Sequence, residues 1–256
     1  MTILRRMLTL AAFGALAIAN AQLLPPEHIY YKFNEGSGTT TANLASPGSG
    51  AGNGTLFGGM TMSATGVEGN ALQGVSNGGY VSTGWATSLG SSSWTIAFWH
   101  SALGTPTIDV DYLFGDQAAG NLRAFTGGIA GTTGLVLRGP VTDVLISGLS
   151  VTENNHIAFV YDSTAGNIKG YLNGALATTV NQGSVNITGS NFIVGNWSTT
   201  SAGLDSNRWI DEFMVFGRAL DEQGVIAARD LSVVPEPATM TVLGLAALVA
   251  SRRRKK

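Results

Sequence analysis

Two aspartates separated by one residue, Asp109 and Asp111, are the carboxylates of this chain whose spacing suits paired acid–base chemistry. On a strand, residues two apart share a face at about 6–7 Å. Glycoside hydrolysis needs two carboxyl groups about 5–5.5 Å apart for retention and a wider pair for inversion. After Asp111, however, the chain runs Tyr112-Leu113-Phe114 and has no further acid until Asp116. Two solvated edge or loop acids are the plainer reading. The sequence also lacks a nucleophile elbow and a phosphate-cradling loop. His28, His100 and His156 are too scattered for a metal triad. His156 opens an aromatic run and reads as structural, while His100 closes one and could present its ring at a sheet rim. The chain therefore reads as a non-enzyme.

Binding chemistry is better represented. Trp85 and Trp197 sit among loop-forming residues, the second in Gly195-Asn196-Trp197-Ser198. An indole beside the Asn196 amide suits stacking on a pyranose face. The competing role is to plug the end of a β fold, which the usual burial of tryptophan favours. Trp94, Trp99 and Trp209 lie in strand-like runs and are expected in the core. Asn53, Asn186 and Asn196 begin Asn-x-Ser/Thr triplets, a number expected by chance in so polar a chain.

Both ends carry export chemistry. Arg5 and Arg6 precede an apolar run over residues 7–18, followed by Ala19-Asn20-Ala21. This is the pattern of a leader cut by signal peptidase, giving a mature chain that starts at Gln22. The run is well short of the ~20 residues that span a membrane comfortably. At the other end, Val234-Pro235-Glu236-Pro237 precedes an apolar run over 238–250 and the basic tail Arg252-Arg253-Arg254-Lys255-Lys256. The prolines keep the chain extended, and the cations resist translocation. This arrangement resembles the PEP-CTERM sorting signal. The resemblance implies transient anchoring in the inner membrane, processing by an exosortase-type enzyme, and delivery to the surface or extracellular matrix of a bacterium. The expected organisation is a leader at 1–21, a body at 22–232 and the sorting signal, with its short transmembrane segment, at 233–256.

Charge and cysteine usage narrow the functions open to the body. Of fourteen Lys and Arg, two lie in the leader and five in the tail, leaving seven. Of sixteen Asp and Glu, only Glu236 lies in the tail, leaving fifteen and a body charge of −8. An acidic body without a basic cluster argues against nucleic acid as a partner. With no cysteine, there is neither a disulfide framework nor a thiolate metal site.

The body reads as all-β. Short runs rich in Tyr, Phe, Trp, Val and Ile alternate with Gly, Ser, Thr and Asn. Strands are expected at 29–34, 79–82, 94–100, 112–116, 135–138, 156–162, 168–172, 192–195 and 209–216. Large residues on both parities of Trp94-Thr95-Ile96-Ala97-Phe98-Trp99 imply a strand covered on both faces. Asp162-Ser163-Thr164-Ala165-Gly166-Asn167 and Asn173-Gly174 supply turns. A short helix is expected after Asp221, a good N-cap. Residues 48–74, dense in Gly, Ser, Asn and Thr, read as long loops within one domain. Such a pattern calls for two antiparallel sheets packed face to face, with Trp94, Phe98, Phe159 and Phe216 between them.

Several of these segments together resemble laminin-G-like domains of the concanavalin A-like class. They are Tyr30-Tyr31-Lys32-Phe33-Asn34-Glu35-Gly36, Gly52-Asn53-Gly54-Thr55-Leu56, the 94–99 strand, Asn155-His156-Ile157-Ala158-Phe159-Val160-Tyr161-Asp162 with Gly170-Tyr171-Leu172-Asn173-Gly174, Phe192-Ile193-Val194-Gly195-Asn196, and Trp209 to Leu220. The resemblance implies a β-sandwich jelly roll. Its roles include carbohydrate binding, adhesion, structural spacing and, in distant relatives, glycan cleavage. The Glu-x-Asp-x-x-Glu strand of the related glucanases is missing. The family also implies one structural Ca²⁺, carried here by Asp211 with backbone oxygens near Asn43 or Asn53. Asn43 stands where the family often has an aspartate, which would weaken such a site. The expected function is binding or structure, with extracellular polysaccharide or a surface glycan as partner. A glycan-active enzyme and a ligand-free surface protein are the alternatives.

Overall fold

The computed structural model describes residues 23–46, 50–104, 110–127, 134–200 and 203–231. The leader with its cleavage residues Ala19, Ala21 and Gln22, the sorting motif Val234 to Pro237, the apolar runs at 7–18 and 238–250, expected as a signal helix and a hydrophobic helix flanking the sandwich, and Asp109 lie outside them. No helix among the described residues is long and apolar enough to cross a membrane.

In chain order the first strands are β1 (Ile29–Tyr31), β2 (Thr40–Thr41), β3 (Gly54–Phe57), β4 (Thr61–Thr65), β5 (Asn70–Gln73) and β6 (Tyr80–Ser82). Then come β7 (Ser88–Gly90), β8 (Trp94–His100), β9 (Asp111–Asp116), β10 (Leu122–Thr126), β11 (Leu135–Arg138) and β12 (Val144–Ile146). The last are β13 (Asn155–Asp162), β14 (Asn167–Leu172), β15 (Ala175–Asn181), β16 (Ile187–Thr188), β17 (Ile193–Val194) and β18 (Trp209–Phe216), followed by α1 (Glu222–Arg229). One sheet runs β15-β14-β13-β8-β18-β5-β4, with β1 also paired to β18. The second runs β12-β11-β10-β9-β17-β6-β3-β2, and β16 pairs with β7. Every pairing among the described residues is antiparallel.

The two sheets close on an aromatic centre. Phe98 and Phe213 of the first sheet meet Phe114 and Phe192 of the second, with ring centroids 5.6 to 5.8 Å apart in four of the pairs. All four rings are fully buried, as are Trp94 and Phe159 in the same cluster. The outer face of the first sheet is covered as well. There Tyr30, Ala97, Ala158, Tyr171, Met214 and Phe216 pack with Val225 and Ala228 of α1. This explains why β8 carries bulk on both parities. The helix starts at Asp221, whose carboxylate accepts from the Gly224 amide at 2.8 Å. The described residues between 23 and 231 supply the strands of both sheets and the core between them.

Several expectations needed revision: Trp99 and Trp209, expected in the core, are only half-buried and belong to neither core cluster. Phe216 is buried, but against the helix and not between the sheets. The cause is a bulge in β18: the register with β8 shifts between Asp211 and Met214, and Glu212 takes φ 50°. Inward parity therefore passes from Ile210 to Phe213 and Val215. Residues 48–74 also hold three strands where long loops were expected. Their alternation is carried by small or soft residues: Gly54 and Leu56 point inward in β3, and Met62 and Ala64 are buried in β4. A Cβ on Gly54 would lie 2.7 Å from Val81 and 2.8 Å from Thr41. Close strand packing, not a turn, requires that glycine.

Candidate functional site

A polar cleft of about 350 Å³ opens where β9 and β17 end. That is at the lower end of the ~300–1,000 Å³ usual for ligand sites. Ile193 and Asp116 form part of its lining, with Gln117, Ser190, Asn191 and Ser198 around them and Trp197 as its one aromatic wall. Asp116 holds three segments together. It accepts from the Thr87 hydroxyl at 2.6 Å, the Asn191 amide at 2.9 Å and the Ala118 amide at 2.9 Å. This carboxylate is buried and structural, fixing the two turns that shape the cleft.

Trp197 is seated by what its neighbours lack. A Cβ on Gly115 of β9 would lie 2.7 Å from Trp197 Cβ and 2.3 Å from the Leu122 carbonyl. Only glycine lets the indole lie down on this strand. The approach is turned by Gly195, at φ 81°, and locked by Asn196, whose Oδ1 accepts from the Trp197 amide at 2.8 Å. The indole packs against Tyr112 at 5.5 Å, with the Arg123 guanidinium 5.0 Å from its ring. Half-buried and held from several sides, Trp197 presents a rigid apolar wall beside hydroxyls and amides.

The structure separates the residues expected to bind a glycan. Trp197 lines the cleft. Asn196 is fully buried, and its amide donates to the Gly79 carbonyl at 3.3 Å. Its contribution is to position the tryptophan. Trp85 is only 3% exposed, stacked on His28 at 5.0 Å and tilted against Phe192 at 5.8 Å. It plugs the sandwich end and offers no platform. The cleft itself was missed from sequence, because Gly115, Asp116 and Asn191 come together only through the β9–β17 pairing. Asp111 is buried beside Arg208, 3.7 Å from its Nε. His100 is buried rather than at the rim, and burial pushes its pKa down to about 4. Burial likewise pushes His156 down to about 3.

Asp211, Asn43 and Asn53 fall into two hydrogen-bonded sets. Asn43 accepts from the Tyr30 amide at 2.8 Å and donates to the carbonyls of His28 and Ala51. Its own amide donates to Asn53 at 3.0 Å. Asp211 instead accepts from the amides of Val67 at 2.8 Å and Glu68 at 3.4 Å, and from the Glu212 amide at 2.8 Å. These contacts tie the β4–β5 turn to the point where β18 changes partner from β5 to β1. Among the described residues no cluster of three or more His, Asp or Glu is arranged to hold a metal.

Beside Asp211, the buried Glu212 accepts from the Tyr30 hydroxyl at 2.7 Å and lies 3.6 Å from Lys32 Nζ. Burial pushes Glu212 up to about 7 and Asp211 up to about 6, and the nearby donors only partly offset it. Both groups therefore bind a proton more tightly folded than unfolded. Their stabilisation is complete below about pH 4 and is lost as pH rises to about 7. Glu212→Gln, which mimics the protonated form, is expected to raise stability by about 1–3 kcal/mol at about pH 8 and to change little near pH 4. Thermal melts at the two pH values check this. Parallel pH profiles for variant and wild type would contradict it.

Comparison with known proteins places this geometry. A family model described as the concanavalin A-like lectin/glucanases superfamily matches residues 75–226. A second, for the PEP-CTERM protein-sorting motif, matches residues 233–255, which indicates export. Among curated proteins nothing matches. The receptor binding domain of botulinum neurotoxin C/D mosaic serotype superposes with TM-score 0.57 at 11% identity, over 79% of this chain and 50% of that one. The chain thus spans about half the length of that neurotoxin domain. Domain 4 of AbnA, a GH43 extracellular arabinanase from Geobacillus stearothermophilus in complex with arabinotriose, gives TM-score 0.56 at 20% identity, covering 80% of this chain and 99% of that domain. Trypanosoma rangeli sialidase gives TM-score 0.57 at 11% identity, over 82% of this chain and 34% of the enzyme. At these identities the likeness is one of fold, shared by binding domains and by chains of glycan-active enzymes. The protein belongs to the concanavalin A-like lectin/glucanase superfamily, with a PEP-CTERM sorting motif following its β-sandwich.

Proposed function

We propose that this is an exported, surface- or matrix-destined protein that binds carbohydrate of the extracellular polymer through the cleft at Trp197. The observation that carries the reading is the clamped indole wall bordering a polar, hydroxyl-rich cleft. A sugar ring has an apolar face and an equator of hydroxyls, and such a wall with Asn191, Ser190 and Ser198 around it complements both. The arabinanase domain of like fold was solved with arabinotriose, which agrees with this ligand class. Signal peptidase and an exosortase-type enzyme are the processing partners in this reading, with the apolar segment at 238–250 as a transient anchor.

A glycan array probed with residues 22–232 tests it. Wild type is expected to mark a defined set of glycans. Trp197→Ala is expected to lose about 2 kcal/mol of binding, roughly thirtyfold, as an anchor at the centre of a site does. The variant should keep the wild-type melting temperature to within a few degrees, since the side chain is not in the inter-sheet core. Equal array signals from both proteins would remove the cleft from the function.

A further inference from the structure

Arg123 stands out in the charge pattern of the body. Of its seven cations, Lys32, Arg138, Arg208, Arg218 and Arg229 each pair with a carboxylate. Among the described residues the other two, Arg123 and Lys169, make no ion pair, and of these Arg123 lies on the second sheet beside Trp197 while Lys169 lies in β14 of the first. Arg123 Nη1 donates to the Asn121 carbonyl at 2.8 Å, and its guanidinium rests over Trp197. It also stands directly opposite Arg138 in the β10–β11 register. Like charges directly opposed across a strand pair are destabilising, and here they occur on an acidic body. Asp143 is the one acid shown to serve them. It is bound by Arg138 through Nε and Nη2 and held below the ordinary carboxylate range by that pairing. Asp116, the other nearby acid, is already engaged by three donors from its own turn and from Thr87 and Asn191. The two guanidinium groups therefore face a single available carboxylate.

The register places this pair at the end of a continuous row. Thr55 pairs with Ser82, Ser82 with Ile193, Ile193 with Gly115, Gly115 with Arg123, and Arg123 with Arg138. Six neighbouring strands at about 4.8 Å spacing make this row about 24 Å long. It lies across the outer face of the second sheet, with Trp197 seated at its middle over Gly115. One end offers hydroxyls, and the other offers the Arg123 guanidinium beside Arg138, which Asp143 already holds.

We infer that the site takes a polysaccharide bearing oxyanion groups, uronate carboxylates or sulfate esters, laid along this row with a charged group at Arg123. The inference rests on the glycan-binding reading of the Trp197 cleft and names the substrate class within it. A guanidinium already stacked on an indole is held in place, and its planar fork matches a carboxylate or sulfate with two parallel hydrogen bonds. At about 24 Å the row is long enough for an internal stretch of a polymer crossing Trp197, which covers the buried Gly115 at its middle, rather than one terminal ring.

Binding of residues 22–232 to four polymers separates the possibilities: polygalacturonate and its carboxyl-reduced form, and dextran sulfate and dextran. Wild type is expected to bind at least one charged polymer tenfold or more tighter than its uncharged counterpart, with affinity falling as salt is raised. Whichever charged polymer wins identifies carboxylate or sulfate as the source. Arg123→Gln is expected to erase that preference with an unchanged melting temperature. Arg123→Lys, keeping the charge but not the fork, should recover only part of it. Equal binding of charged and uncharged polymers, or an undiminished preference in Arg123→Gln, would overturn the inference. So would no binding to either charged polymer. A Trp197-dependent signal on neutral glycans of the array would then keep the glycan reading while rejecting the anionic one.

Discussion

Truncating Phe213 to alanine is expected to cost about 3–5 kcal/mol of folding stability. This ring is the hub of the inter-sheet core, with centroids 5.7 Å from Phe98, 5.6 Å from Phe114 and 6.1 Å from Phe192. Its neighbours belong to two different sheets, so no single element can shift to fill the vacated space. The loss therefore includes a cavity contribution as well as the lost transfer energy. Against a total stability of roughly 5–15 kcal/mol for a domain, this is a large fraction. Denaturant unfolding of residues 22–232 measures it. The bulge at Asp211–Glu212 makes the forecast specific, because unbroken alternation from Ile210 would turn Phe213 outward. A loss below about 1 kcal/mol would mean that the parity of β18 is not the one described.

The second large effect concerns the C-terminal signal. In the proposed sorting route the apolar run over 238–250 and the five terminal cations pause and orient the chain, each buried cation costing about 2.5–3.5 kcal/mol. Proline is a poor helix former, and the proposed route has the Pro235-Glu236-Pro237 motif recognised by the processing enzyme. Replacing Pro235 and Glu236 together by alanine is expected to leave translocation intact and to abolish processing in an exosortase-containing host. Full-length protein should then accumulate in the membrane fraction. Deleting 234–256 should instead release a soluble periplasmic domain. Immunoblots of fractionated cells distinguish these outcomes. Processing of the double variant at the wild-type rate would reduce the tail to a plain anchor.

How far the sequence could be read depended on which residues carried the signal. The β13–β14 hairpin was plain from Phe159, Val160 and Tyr161 followed by a Gly-containing turn, and the family resemblance rested on such segments. By contrast, β3 to β5 present Gly54, Met62 and Ala64 to the core. Their inward face is too small and soft to stand out from the surrounding turn residues. The β18 bulge was hidden because nothing in Ile210-Asp211-Glu212-Phe213 marks a non-glycine residue for positive φ. The site was legible only in part. Trp85 and Trp197 have similar Gly-rich local sequence, yet one is buried by His28 and Phe192 and the other lies over Gly115 at a cleft. That difference arises from cross-strand neighbours far away in the chain. For the same reason, the Thr87 and Asn191 donors to Asp116 could not be assigned from its own neighbourhood.

Occupation of the Trp197 cleft by ligand, as proposed, is tested most directly by amide-resolved NMR during titration with an array-selected glycan. The indole N–H of Trp197 and the amides of Asn191, Ser198 and Thr199 are predicted to shift together and saturably, while Trp85 and the Asn43–Asn53 set remain unmoved. Saturable shifts confined to the Asn43–Asn53 region or to the β4–β5 turn, with Trp197 unchanged, would contradict the account.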